Sequence, residues 1–141
     1  METTVQVALI TASATIIVAV ITFYLNKRAD RRDSIQQRKL KHYQELLDAI
    51  SDLAIDDTDK NEANIRFARA VNTIALVASK RVIDALMAFH DEVKFSNKNK
   101  TIEGHDKKLI DLLLAIRWSL MLPFKDDPKT FNFHLVGSKP K

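Results

Sequence analysis

The sequence predicts an all-α protein in which an N-terminal transmembrane helix continues into a cytosolic helical bundle. Residues 3–26 carry no charged side chain, and the chain has only two glycines and three prolines in 141 residues. Beyond residue 34, apolar side chains recur at helical spacing. A short extended segment is expected after Pro128. The predicted domains are a transmembrane anchor (1–26), a basic juxtamembrane segment (27–41) and a cytosolic helical domain (42–141).

The anchor prediction rests on length and flanking charge. Val5–Leu25 supplies the roughly 20 apolar residues that a helix needs to cross a bilayer. Glu2 is the only charged residue before this segment. Four cations follow the segment closely, namely Lys27, Arg28, Arg31 and Arg32. The positive-inside rule then predicts a single-pass membrane protein with its N-terminus outside and its C-terminal domain in the cytoplasm. A cleaved signal peptide fits less well, because a positive n-region and a cleavage site are missing.

The positive charge is concentrated beside this anchor. Residues 26–41 hold seven Lys or Arg against two Asp, whereas residues 42–141 hold fifteen charges of each sign. We expect the four cations after the anchor to contact lipid headgroups, at about 1 kcal/mol each. The balanced remainder gives no indication of duplex nucleic-acid binding.

The anchor also has a stripe of small residues at steps of three, four and seven, formed by Ala8, Thr11, Thr15 and Thr22. Small and hydroxylated side chains allow membrane helices to approach closely. The stripe predicts the seam of a homo-oligomer. The alternative is a chance arrangement, because Thr and Ala are common in membrane helices.

The rest of the chain predicts four helices in all. No helix breaker separates Leu25 from Ile55, so the first helix is expected to continue past the anchor. The segment Asp56–Asn61 reads as a loop before the second helix, and its acidic run suits the positive end of that helix better than a calcium site. The later helices are predicted at Glu62–Ala78, Lys80–Lys94 with Ser79 as N-cap, and about Gly104–Leu122, ended by Pro123.

The extended C-terminal segment, Phe131–Val136, alternates apolar and polar residues. An isolated strand is unstable, so we expect this segment either to join the sheet edge of another chain or to lie in a groove of the helical domain.

Few residues point to catalysis. The chain has no cysteine, and its four histidines have no metal-ligand spacing. We therefore expect no enzyme, no cofactor and no metal. An enzyme would require His90, His105 and neighbouring carboxylates to converge in space, and this is the minor alternative.

A polar cluster predicts a phosphate-bearing small ligand instead. Basic and polar residues share one face of the second helix, open the third and occupy the following loop, and we expect the site to comprise Arg66, Arg69, Asn72, Thr73, Ser79, Lys80 and Lys100. A helix N-terminus favours an anion. The alternative is a set of solvated charges with one helix cap.

Three sequence stretches carry a resemblance to a known group of proteins: Lys41–Leu53, Phe67–Ser79 and Phe133–Ser138. They resemble a family of small, largely uncharacterised bacterial single-pass membrane proteins, over most of residues 25–138. The layout is similar to that of membrane effectors of bacterial anti-phage defence, in which a cytosolic domain senses a nucleotide such as a cyclic oligoadenylate. The resemblance supports a compact single-pass protein of the bacterial inner membrane and assigns no reaction. The small-residue stripe, the unbroken first helix and the basic face of the second helix predict an oligomeric membrane protein that signals from a bound ligand or partner to its anchor. A membrane-tethered scaffold that recruits another protein is the alternative.

Overall fold

The computed structural model describes residues 2–55, 59–123 and 125–136, and over these residues the protein has four α-helices and no strand. The helices are α1 (Glu2–Ala54), α2 (Lys60–Ile74), α3 (Lys80–Val93) and α4 (Ile102–Ser119). The predicted all-α class is confirmed. The chain divides into two compact units, Met1–Gln37 and Arg38–Lys141, and we call the second unit the helical domain.

Helix α1 has no break between its apolar N-terminal part and Ala54, as predicted. Among the described residues it is the one helix long and apolar enough to span a membrane. The apolar side chains along Val5–Leu25 are all exposed. Such a surface is typical of a membrane-spanning helix and differs from that of a soluble core helix, and the anchor stays a prediction.

The core of the helical domain draws on all four helices. Its buried apolar residues follow steps of three, four and seven along each helix, and they are Tyr43, Leu46, Ala49, Ile50, Phe67, Ile74, Val82, Leu86, Phe89, Leu109, Leu112, Ala115 and Ile116. One polar contact lies within this core: the hydroxyls of Tyr43 and Ser119 are 2.8 Å apart. This hydrogen bond joins the C-terminal part of α1 to the end of α4.

The connection from α1 to α2 is closed by reciprocal capping. The Asp59 carboxylate accepts from the backbone N–H of Asn61, and the Lys60 ammonium donates to the carbonyls of Leu53 and Ile55 at 2.7 and 2.6 Å. Asp59 thus serves the helix N-terminus, as predicted for this acidic run. The rest of the run, residues 56–58, lies outside the described residues.

Two predicted helix ends were wrong. Helix α2 ends at Ile74 rather than Ala78, where Leu76 N–H bonds to the Thr73 carbonyl in a tighter turn. Helix α4 ends at Ser119 rather than Leu122, because Met121 takes a left-handed conformation with φ of 54°. Pro123 therefore follows the end of the helix and does not cause it.

The C-terminal segment has no regular secondary structure over residues 131–136. Of the two arrangements expected for it, the structure has the segment against its own domain, since Leu135 packs on the core. We call residues 125–136 the C-terminal strap.

Candidate functional site

The residues of the predicted phosphate site are not brought together. Arg66, Arg69 and Thr73 line a groove of about 370 Å³ between α1 and α2, which we call the Arg66 groove. Ser79 lines a different cavity. Asn72 is exposed on α2.

The two remaining residues have partners of their own. The Lys80 ammonium pairs with the Asp84 carboxylate one turn along α3. The Lys100 ammonium lies 5.9 Å from the centre of the Phe95 ring in the loop between α3 and α4. Neither lies in the Arg66 groove or in the cavity that contains Ser79.

The Arg66 groove is unfavourable for an anion. Its lining contains two arginines and three carboxylates, Glu45, Asp48 and Asp52. Nη1 of Arg66 is 2.9 Å from an Asp52 carboxylate oxygen. The Thr73 hydroxyl donates back to the carbonyls of its own helix. A phosphate here would have to overcome the repulsion of three carboxylates.

A second cavity has the opposite charge balance, and we call it the Trp118 cavity. It measures about 740 Å³ and is lined by Lys39, Ser79, Arg81, Leu114, Arg117, Trp118, Ser119, Met121, Leu122, Lys125, Asp126 and Pro128. These residues come from α1, the start of α3, the end of α4, the turn that follows α4, and the strap. Four cations face one carboxylate, so the lining carries a net charge of +3.

Three of the four cations have no carboxylate partner among the described residues: Lys39, Arg81 and Lys125 lie in no ion pair there. The Arg81 guanidinium is 5.3 Å from the centre of the Trp118 ring. Stacking on an aromatic face holds a guanidinium in position without neutralising it. The cavity therefore presents positive charge beside exposed apolar surface, because Trp118 is 62% exposed.

The start of α3 contributes Ser79 and Arg81 to the lining of this cavity. Ser79 occupies the N-cap position, as predicted, but its side chain makes no capping hydrogen bond. Its Oγ is shielded from solvent and has no partner among the described residues. By contrast, the Thr101 hydroxyl of α4 accepts from the Gly104 N–H at 2.9 Å. The first-turn N–H groups of α3 thus lack the side-chain cap that α4 has.

The fourth cation, Arg117, is already engaged. Its Nε and Nη2 donate to the two carboxylate oxygens of Asp126 at 2.7 and 2.9 Å, in the forked geometry that guanidinium also adopts with phosphate. These hydrogen bonds lower the pKa of the Asp126 carboxyl and raise the pKa of Arg117. A lowered carboxyl pKa means that the contact weakens only as pH falls through that lowered value, so the pair is fully charged near neutrality.

The histidines are distributed over separate contacts. The His90 ring stacks on Phe67 at 6.3 Å, and the His105 ring meets the edge or face of Phe89 at 5.4 Å. Nδ1 of His105 is 3.2 Å from a carboxylate oxygen of the adjacent Asp106. Over the described residues, no three His, Asp or Glu side chains form a group that would hold a metal ion.

The predicted membrane residues lie along the exposed N-terminal part of α1. In the stripe, the hydroxyls of Thr11 and Thr15 donate to the carbonyls four residues earlier, both at 2.8 Å, and Ala8 and Thr22 are exposed. The cations Lys27, Arg28, Arg31 and Arg32 are exposed as well. The Lys27 ammonium reaches back over the Phe23 ring, 5.5 Å from its centre. The seam and the lipid contacts stay predictions.

Sequence reasoning missed most of the Trp118 cavity. Lys39 is about 40 residues from Ser79, and Asp126 is about as far again along the chain. No local motif joins them. One signal was available in the sequence: Trp118 is a large aromatic residue close to Pro123, near the predicted end of a helix.

Compared with protein-family models, with curated proteins and with solved structures, the chain matches none of them. Its function must therefore be argued from the geometry and charge of its own residues.

Proposed function

We propose that this chain is a membrane-anchored binding module whose cytosolic helical domain takes up a phosphate-bearing small ligand in the Trp118 cavity. The observation that carries the proposal is the charge of the cavity lining, four cations against one carboxylate beside exposed apolar side chains. Binding is then non-covalent, and the chain is neither an enzyme nor dependent on a cofactor.

The lining indicates a ligand with two chemically different parts. Arg81, Lys39 and Lys125 suit a phosphate. Trp118, Met121 and Leu122 suit a flat or apolar group. A nucleotide has both parts, so a nucleotide second messenger is the ligand class that we favour.

The remaining features of the proposal concern the membrane. Helix α1 would anchor the protein in the bacterial inner membrane with its N-terminus outside, because Val5–Leu25 is apolar and uncovered. The chain would form a homo-oligomer through the stripe of Ala8, Thr11, Thr15 and Thr22 and pass ligand binding on to its anchor. A defence effector at the membrane is the biological role that fits this layout, by analogy only.

The first test is a titration of the full-length protein with adenosine 5′-monophosphate (AMP) in phosphatidylcholine bicelles. Trp118 is the only tryptophan of the chain and lines the cavity, so its fluorescence reports occupancy directly. We expect Arg81→Gln to weaken AMP binding about tenfold, as loss of one charge-assisted hydrogen bond implies. Lys125→Gln should also weaken AMP binding.

Arg66→Gln and Arg69→Gln are the matched controls, since they remove the same charge from the competing groove. We expect both to bind AMP as the wild type does. If Arg66→Gln abolishes binding and Arg81→Gln does not, the site is the Arg66 groove. Native mass spectrometry of the same samples would report the oligomer and any ligand that copurifies.

A second function has one observation in its favour. Phe95 is fully exposed and Ile102 is 83% exposed, on either side of the loop between α3 and α4. Such side chains suit a scaffold that recruits another protein. Replacing Val5–Leu25 by an unrelated anchor separates the two functions, because a scaffold keeps its activity and a transmitting module loses it.

A further inference from the structure

The Trp118 cavity contains one carboxylate, and it belongs to the strap. Asp126 lies nine residues beyond Arg117. Its two carboxylate oxygens accept hydrogen bonds from Nε and Nη2 of the Arg117 guanidinium. Arg117 is thus held by a carboxylate from the chain itself, in the position where a phosphate would make the same two hydrogen bonds.

The same arginine fixes the strap at a second point. The Arg117 guanidinium is 5.5 Å from the centre of the Phe131 ring, and four residues later Leu135 packs on the core. The strap has no regular secondary structure of its own over residues 131–136. Its position therefore depends on side-chain contacts, and those made by Arg117 are central among them.

We propose that Asp126 is a built-in competitor for Arg117, which an entering phosphate displaces, so that ligand binding releases the strap. The inference rests on the proposed function of the cavity. A phosphate monoester carries up to two negative charges and three acceptor oxygens, whereas a carboxylate carries one charge and two oxygens. Lys39, Arg81 and Lys125 add attraction that favours the more highly charged group.

Release of the strap has a structural consequence. Leu135 leaves the core, and the apolar surface that it covers becomes available to another surface. Because the ligand and Asp126 compete for Arg117, a change that loosens the Asp126 contact raises the fraction of protein ready to bind and should strengthen ligand binding. This competition makes the inference testable in both directions.

The test compares Asp126→Asn with the matched variant Asp127→Asn. Asp127 accepts from the Lys129 N–H at 2.9 Å, and asparagine retains an acceptor for that turn. AMP affinity is measured from Trp118 fluorescence, and the strap is followed by hydrogen exchange of residues 125–136, both on the full chain in phosphatidylcholine bicelles. We expect Asp126→Asn to bind AMP several-fold more tightly and to exchange strap amides rapidly without ligand. Asp127→Asn should behave as the wild type.

In the wild type, saturating AMP should accelerate exchange in the strap. Binding of AMP without this acceleration, or unchanged affinity in Asp126→Asn, would overturn the competitor role and leave the proposed function standing. No binding of AMP to either protein, together with no effect of phosphatidic acid, would overturn both.

Phosphatidic acid in the bicelles distinguishes the two sources of a phosphate monoester. Strap release by phosphatidic acid without AMP supports the competitor role with a lipid headgroup as ligand. Release by AMP alone supports it with a soluble ligand.

Discussion

At the residue scale, the buried hydroxyl pair of Tyr43 and Ser119 decides how α1 and α4 meet. Both residues are at most 5% exposed, and their oxygens are 2.8 Å apart. A polar atom in such surroundings is stable only while it has a partner. The pair therefore selects one packing arrangement of two apolar helices that would otherwise tolerate several.

Removing one hydroxyl of this pair should be more harmful than removing both. We expect Tyr43→Phe to lower the free energy of unfolding by about 1–3 kcal/mol, because Ser119 would then be buried without its partner. Denaturant unfolding followed by circular dichroism measures this change. The double variant with Ser119→Ala should lose less than the sum of the two single variants, and simple additivity would show that the hydroxyls are not coupled.

Single residues also show where prediction from sequence reached its limit. Arg66 and Arg69 do share a helix face with Thr73, as their spacing predicts. The spacing gave no sign of Glu45, Asp48 and Asp52, because these carboxylates belong to α1 and reach the groove only through helix packing. The charge of a site depends on every element that lines it.

At the scale of elements, the three later helices begin in different ways. Asp59 and Thr101 cap α2 and α4 with their side chains, whereas Ser79 makes no such bond at the start of α3. The sequence places a capping residue type before each helix. Only the structure shows which of these side chains accepts a hydrogen bond from the first turn of its helix.

This difference predicts unequal effects of alanine substitution. We expect Thr101→Ala to cost about 1 kcal/mol of stability, the usual value of a lost N-cap. Ser79→Ala should cost distinctly less, because the Ser79 hydroxyl makes no capping hydrogen bond. Denaturant unfolding of the two variants measures both changes. Equal losses of stability would mean that Ser79 caps α3 after all.

At the scale of the whole molecule, α1 combines two surfaces with different requirements. Its residues up to position 35 are exposed throughout, whereas Tyr43, Leu46 and Ile50 are buried in the core of the helical domain. The surface around Tyr43 is buried within the chain. The apolar surface before residue 35 is exposed, and a bilayer or another protein is what usually covers a surface of this length.

A lysine in the middle of the apolar segment should therefore impair membrane insertion. We expect Ile17→Lys to cost about 2.5–3.5 kcal/mol of insertion free energy and to shift protein from the membrane to the soluble or degraded fraction. Ile65→Lys is the matched control, because Ile65 is also exposed but lies on α2. Equal membrane fractions for the two variants would contradict the anchor.

The sequence by itself determined the helical class and the extent of the apolar part of α1. These properties follow from composition and from spacing along one chain, which local physics fixes. The tertiary structure alone decided the charge of each groove, the end of α4 at a left-handed Met121, and the meeting of Lys39, Arg81, Trp118 and Asp126 in one cavity. The reason is physical: electrostatic and packing energies depend on distance in space, and residues distant in sequence reach that distance only when the helices pack.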